Sequence, residues 1–278
     1  MRDINGPLTE IEFIAFDLET TGLSATTSQI VEMGGIRFRA DGSLIQEFEQ
    51  LIDPQCAIPR RATRIHGITD MMVQGMPTLR ETLPRFLDFL GQDQAILMAH
   101  NALFDIGFLQ AAIRTTGCCP LGNPVIDTLQ LARRCVRDTC SYRLEDLVIH
   151  LRLADSEDHR ALSDARLVRA LFCRILHTQP GLTTVPRLFS LVPPLRSRCA
   201  AHPTSAPRPM HAHLTLAIAQ ERTVVMVYEG GTKGLTDRRV TPRSLDYSHG
   251  VPCLIAYCHT DRMQKTFRLD RIRAFRLE

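Results

Sequence analysis

The sequence predicts an α/β domain, a mixed sheet flanked by helices, over residues 1–178, and a small β-rich domain over residues 214–278. Three observations predict this. Short runs rich in β-branched and aromatic residues open the chain and then alternate with stretches of helical spacing, the order expected of a mixed sheet. A proline-rich stretch follows at 179–213. After it the chain returns to short strand-like runs separated by glycine turn signals.

Each element has its own reason. Ile11–Asp17 is an apolar run that reads as a buried central strand, and Thr20-Thr21-Gly22 breaks it. Gln29–Phe38 and Leu44–Ile52 read as two further strands joined by a hairpin turn at Asp41-Gly42. Leu79, Leu83, Phe86, Leu87 and Leu90 give Pro77–Leu90 a helical spacing. Ala95–Ala99 is a strand running into His100-Asn101, and Leu103–Ile113 a helix with Phe104, Phe108 and Leu109 inward. Val125-Ile126 is a strand fragment before helices at Thr128–Val136 and Leu144–Leu151. Ala161–Leu176 is a long helix with Leu162, Leu167, Leu171 and Ile175 on its apolar side. From Gln179 to about His213, prolines at 180, 186, 193, 194, 203, 207 and 209 predict a partly extended linker. Beyond it Leu214–Ala219 reads as helical. Thr223–Tyr228, Arg239–Thr241, Cys253–His259 and Thr266–Arg268 read as strands, with turns at Gly230-Gly231 and His249-Gly250.

Composition narrows the function. The overall charge of +3 divides unevenly: residues 1–180 carry −5 and residues 181–278 carry +8. The acidic front fits a carboxylate cluster that holds cations, and the basic back half fits a phosphate-bearing partner. Nine cysteines in irregular positions, with no C-x-x-C pair, suggest neither a zinc site nor a disulfide framework. Reduced thiols in a cytoplasmic protein are the simplest account. No run of about 18 apolar residues is present, so no membrane partner is expected. The first residues carry no apolar h-region of a signal peptide.

Three short patterns carry chemistry. Asp17 and Glu19, two apart at the exit of the first strand, share one face and repel each other. A divalent cation is the obvious counter-charge. His100 and Asn101 follow a strand and open a helix, where donors face an anion, and Asp105 sits in that helix's first turn. His159 precedes the long helix and Asp164 lies in its first turns. An imidazole, which titrates near about 6.5 in water, can take a proton from water at neutral pH. Taken singly, each pattern is common as an ordinary strand end, helix cap or loop. Together, at element ends where sheet proteins gather their sites, four acids suit two Mg²⁺ or Mn²⁺ ions.

The order D-x-E, H-N-x-x-F-D, H-x4-D resembles the DEDDh 3′→5′ exonucleases of RNase-H-like fold, among them the proofreading ε-type subunits of bacterial DNA polymerase III. FDLETTGL at 16–23, IVEMGGIRF at 30–38, IHGITD at 65–70 and AHNALFD at 99–105 agree with it. The resemblance covers Ile11 to Leu176. It implies Asp17, Glu19, Asp105 and Asp164 as metal ligands and His159 as general base. Thr20, Thr21 and Leu23 would border the terminal nucleotide, and His100 and Asn101 would lie near the scissile phosphate. His66 and Gly67 sit in a loop that shapes the pocket. The implied activity is release of nucleoside monophosphates from the 3′ end of single-stranded DNA. RNA is an alternative substrate, and a polymerase or repair partner is left open.

The tail is similar to a WYL domain, a small SH3-like β barrel, on TVVMVYEGG, RRVTPRSL, GVPCLIAYCH and KTFRLDRI. The Trp-Tyr-Leu run that names the domain is replaced by Pro252-Cys253-Leu254. The resemblance implies nucleic-acid or nucleotide binding through Arg238, Arg239, Arg243, Arg268 and Arg271. It also raises a second reading, a sensing protein in which this domain is the main functional module.

Overall fold

In the computed structural model, residues 6–91, 95–155, 158–196, 214, 217–218, 222–229, 235–248 and 251–278 are described. The chain divides into two compact units, 1–199 and 200–278.

The first unit is built on a six-stranded mixed sheet. Its strands are β1 (Glu12–Thr20), β2 (Ile30–Arg39), β3 (Leu44–Leu51), β4 (Ala95–Ala99), β5 (Pro124–Asp127) and the two-residue β6 (Leu195–Arg196). Their order is β3-β2-β1-β4-β5-β6. β1 runs antiparallel to β2 and parallel to β4, and β4 runs parallel to β5. The helices are α1 (Arg60–His66), α2 (Asp70–Val73), α3 (Leu79–Leu90), α4 (Leu103–Thr116), α5 (Thr128–Cys135), α6 (Leu144–His150), α7 (Ala161–Thr178) and α8 (Val185–Leu191). This is the RNase-H-like mixed sheet flanked by helices that the sequence implies.

The alternation of β1 explains why the sheet is covered on both faces. Phe13 and Ala15 join Phe38, Met98 and Ile126 in a core closed by α5 to α8. Ile14, Phe16 and Leu18 join Met33 and Leu97 in a second core closed by α3 and α4. A strand buried on both sides must read as a continuous apolar run, as Phe13–Phe16 does. A third, smaller cluster of Val31, Ile58, Ala62, Ile68 and Val73 seats α1 and α2 on β2.

The main departures from expectation have simple physical causes. Residues 179–196, read as the start of a linker, fold onto the first unit. Pro186 lies in the first turn of α8, where a missing N–H costs nothing. Val185 and Leu188 are fully buried in the core, and β6 pairs antiparallel with β5. Prolines outside helix interiors did not prevent structure. Helices α1 and α2 are too short to show a period. Of the expected linker, residues 197–213 lie outside the described residues.

The second unit is an all-antiparallel sheet of β7 (Val224–Glu229), β8 (Leu235–Ser248), β9 (Val251–Cys258), β10 (Met263–Arg268) and β11 (Ile272–Leu277), ordered β10-β9-β8-β7-β11. Four strands form a meander, and β11 returns beside β7 after a 3-10 turn at Leu269–Arg271. Its core holds Leu214, Val224, Met226, Leu254 and Phe267. β8 is longer than the expected Arg239–Thr241, and β11 was not expected. The turn signals at 230–231 and 249–250 lie outside the described residues.

Gly34 on β2 fixes how closely α7 approaches the sheet. A Cβ there would lie 2.1 Å from Leu162 N and 2.2 Å from Ala161 C. Both are backbone atoms, so the start of α7 would have to move. Gly34→Ala is expected to destabilise the first unit by about 1–3 kcal/mol or more. Gly107 in α4 has nothing within 4 Å of its Cβ position. Gly107→Ala should leave stability unchanged or raise it by about 0.5–1 kcal/mol. Thermal unfolding of the two variants checks both signs.

Candidate active site

The carboxylates converge where β1 leaves the sheet. Asp17 and Glu19 continue the Phe13–Ala15 side of β1, the side covered by α7. Asp164 lies in the first turn of α7 and is only 3% exposed. One carboxylate oxygen from each of Asp17, Glu19 and Asp164 lies within 4.8 Å of the others. At that spacing like charges oppose ionisation strongly.

Asp105 completes the group from the other side of the sheet. It sits in the first turn of α4, is 2% exposed, and its Oδ1 accepts from the Leu18 N–H at 3.2 Å. It is therefore tied to the β1 backbone between Asp17 and Glu19. Burial pushes the Asp105 carboxyl well above the usual carboxylate range. The Asp17 charge adds to this, Glu19 adds less, and backbone N–H bonds pull the other way. Asp105 is not within the 4.8 Å cluster of the other three.

His159 is half-buried just before α7, in the left-handed region at φ 51°. A non-glycine residue seldom adopts that conformation without support. Glu32 anchors the residues that follow it. Glu32 lies opposite Glu19 on β2 and is fully buried. It accepts from Arg160 Nε at 3.1 Å, from Arg160 Nη2 at 2.5 Å and from the Ala161 N–H at 2.9 Å. This one carboxylate holds Arg160, which follows His159, and Ala161, the first residue of the helix that carries Asp164. Sequence reasoning missed Glu32, Arg160 and Gly34. The signal was a charge and a glycine pair inside an otherwise apolar predicted strand.

The remaining expected residues divide. Thr20 and Thr21 are buried, and their side chains close the turn after β1. Thr20 Oγ1 donates to the Gly22 carbonyl at 2.7 Å, and Thr21 Oγ1 accepts from the Gln29 N–H at 2.9 Å. Leu23 is 54% exposed. His66 is buried, with Nδ1 accepting from the Ile68 N–H at 3.0 Å. Its Nε2 lies buried by the Thr20 main chain without a well-formed hydrogen bond. Burial holds this imidazole below its usual range, with the Thr20 carbonyl and Glu32 opposing. His66 is therefore a neutral prop between α1 and the site.

His100 corrects an expectation. It was expected to offer a donor to the scissile phosphate. Instead both ring nitrogens are engaged inside the protein, Nδ1 with Thr128 Oγ1 at 3.1 Å and Nε2 with the Tyr142 carbonyl at 2.9 Å. Burial keeps it below the usual imidazole range. It braces the ends of β4 and α5. Asn101 is exposed at φ 63°, and Asp127 Oδ1 accepts its N–H at 3.0 Å while also capping α5. Asp127 was missed too, although an aspartate between a strand and a helix is the usual N-cap signal.

In the second unit, two of the five expected arginines are already neutralised. Arg238 pairs with Asp261 at 2.6 Å and Arg239 with Glu278 at 2.7 Å. Arg243 and Arg271 are exposed. The Arg268 backbone N–H donates to the Tyr228 hydroxyl at 3.2 Å.

The donor set fits hard divalent cations. It is all carboxylate oxygen, clustered, with a buried member whose ionisation its neighbours oppose. A cation at this place would offset both the burial and the Asp17 charge that oppose ionisation of Asp105. Asp17, Glu19, Asp105 and Asp164 are the residues that would hold it.

Comparison with known proteins agrees with this geometry. The chain matches the Exonuclease family over residues 14–172 and the WYL domain over residues 209–277. It is 39% identical over 155 residues to a DNA polymerase III PolC-type of Clostridium perfringens, covering 56% of this chain and 10% of that protein. It is 32% identical over 245 residues to a DNA polymerase III PolC-type of Thermotoga petrophila, covering 87% of this chain and 16% of that one. The chain thus spans about a tenth to a sixth of these relatives. E. coli Exonuclease I in complex with a dA16 oligonucleotide superposes with a TM-score of 0.57 at 17% identity, over 89% of this chain and 55% of that one, a likeness of fold. No helix among the described residues is long and apolar enough to cross a membrane. The chain belongs to the Exonuclease family, as a DEDDh-type 3′→5′ exonuclease domain followed by a WYL domain.

Proposed function

We propose that the first unit removes nucleoside monophosphates from the 3′ end of single-stranded DNA, using two divalent cations, Mg²⁺ or Mn²⁺, and His159 as general base. The observation that carries this reading is the meeting of Asp17, Glu19 and Asp164 within 4.8 Å, with Asp105 bonded to the strand between the first two. DNA is favoured because the relatives at 32–39% identity are DNA polymerases. A single strand is favoured because the terminal nucleotide must reach buried carboxylates.

The chain's own groups divide the work. Asp17, Glu19, Asp105 and Asp164 would hold the cations. When bound, those cations activate water and stabilise charge on the phosphate and the leaving 3′-oxygen. His159, held on the Glu32-anchored segment, takes the proton of the attacking water at an imidazole nitrogen. The exposed Leu23 offers an apolar surface to the terminal base. The WYL unit, with Arg243 and Arg271 exposed, supplies phosphate contacts of its own.

The direct test digests a 5′-labelled DNA oligonucleotide with Mg²⁺, beside its duplex and its RNA counterpart. The expected result is a ladder shortening from the 3′ end, fastest on single-stranded DNA. Asp17→Asn and Asp164→Asn should each slow it by at least about 10²–10³-fold. His159→Gln should cost about 10²–10⁴-fold. Unchanged digestion by either Asp variant sinks the assignment, and faster digestion of RNA moves the substrate.

A stability measurement tests the charge argument separately. Because the folded-state Asp105 carboxyl is raised, folding is penalised once the pH exceeds its unfolded value of about 3.9. The penalty is complete above the folded value and absent in acid. Metal-free Asp105→Asn should therefore melt higher than the parent at pH 8, with the gain vanishing below about pH 4. The parent, at a cation concentration 100 times its Kd, should gain about 2.7 kcal/mol. Equal melting of parent and variant at pH 8 in EDTA contradicts the charge account.

A further inference from the structure

The first unit must bind a polyanion while residues 1–180 carry a net charge of −5 and its site is lined with carboxylates. Four of its arginines are already engaged. Arg37, Arg143, Arg160 and Arg166 are paired with Glu12, Asp146, Glu32 and Glu47.

Helix α1 differs. Its seven residues include Arg60, Arg61 and Arg64, all exposed, with no acidic residue in its first turn. None of their three side chains has a hydrogen bond or ion pair among the described residues. At about 100° per residue, positions 60, 61, 64 and 65 share one face, and Ala62 and His66 turn to the other. Ala62 and His66 are buried, and Ile65 is 57% exposed. Arg60 and Arg61 stand at the helix end where the dipole favours anions, a local cost with no carboxylate to offset it. Local conflicts of this kind gather at functional surfaces.

The placement ties this face to the site. Ala62 packs with Val31, the residue before Glu32, and Glu32 lies opposite Glu19. His66, closing α1, sits against the Thr20 main chain and within the field of His159. Helix α1 therefore stands at the end of the sheet from which Asp17 and Glu19 project, with its basic face turned outward.

We infer that Arg60, Arg61 and Arg64 hold the phosphodiester backbone of the DNA strand upstream of its terminal nucleotide. This rests on the exonuclease reading of the carboxylates. Guanidinium forks match phosphate oxygens in pairs of hydrogen bonds. Such contacts position a strand without reading its sequence. Ile65 places an apolar surface beside them for an unpaired base.

The test compares the full chain with R60Q/R61Q/R64Q and with a charge control, R80Q/R85Q, which removes two exposed arginines from α3. Three readouts are taken: turnover of oligo-dT, its binding in Ca²⁺ by fluorescence anisotropy, and hydrolysis of the 4-nitrophenyl ester of thymidine monophosphate. The ester reports the chemistry without an upstream strand. In the α1 variant KM and Kd for the oligonucleotide should rise about tenfold or more, with kcat and ester hydrolysis within twofold of the parent. The slope of log Kd against log salt should fall by about 2, as expected for three phosphates on a single strand. The control should change none of these by more than about twofold. Unchanged oligonucleotide affinity and salt slope in the α1 variant overturn the proposal, as does an equal loss in the control. A parent that hydrolyses neither oligonucleotide nor ester refutes the exonuclease reading instead, while anisotropy still reads the α1 surface.

Discussion

Like charges brought together at low exposure organise this molecule. Asp17, Glu19 and Asp164 meet within 4.8 Å, and Asp105 is buried beside them with its ionisation opposed by Asp17. Repulsion of this kind persists only if rigid elements impose it. Here the central strand delivers two carboxylates on one face and two helices each deliver one from a first turn. The helix dipoles soften the repulsion at Asp105 and Asp164, since both stand at the favourable end. A divalent cation held there would offset the rest.

The end of the sheet from which β1 projects is bordered by the Thr20–Gly22 turn, by α1, and by the segment before α7. Each border is pinned by hydrogen bonds: Thr20 to Gly22 and Gln29 to Thr21, Ile68 to His66, and Arg160 and Ala161 to Glu32. The segment that follows His159, the proposed general base, is thus held by a carboxylate on β2, and Gly34 sets how closely Ala161 and Leu162 approach that strand. A loss at Glu32 or Gly34 would reach the chemistry without touching substrate.

Much of this was legible in the sequence because periodicity and chemistry coincide there. The run Ile11–Phe16, the helical spacing at 161–176 and the D-x-E, H-N-x-x-F-D and H-x4-D spacings each constrain both structure and site. What escaped depends on tertiary contact. Nothing local to Glu32 says that it meets Arg160, 128 residues away. His100 carries a motif position that suggests an anion contact, yet packing by Thr128 and Tyr142 occupies both its nitrogens. Residues 179–196 look like linker by proline content, but Val185 and Leu188 find a core only after the sheet has formed. In the tail, the arginines were visible, whereas the partners Asp261 and Glu278 that neutralise two of them were not.

The account turns on the four carboxylates being a cation site. Counting bound Mn²⁺ by isothermal titration of the full chain tests this most directly. Two ions per chain are predicted, with binding lost or greatly weakened in Asp17→Asn and retained in His159→Gln. No binding at millimolar Mn²⁺, or binding by Asp17→Asn equal to that of the parent, would contradict it.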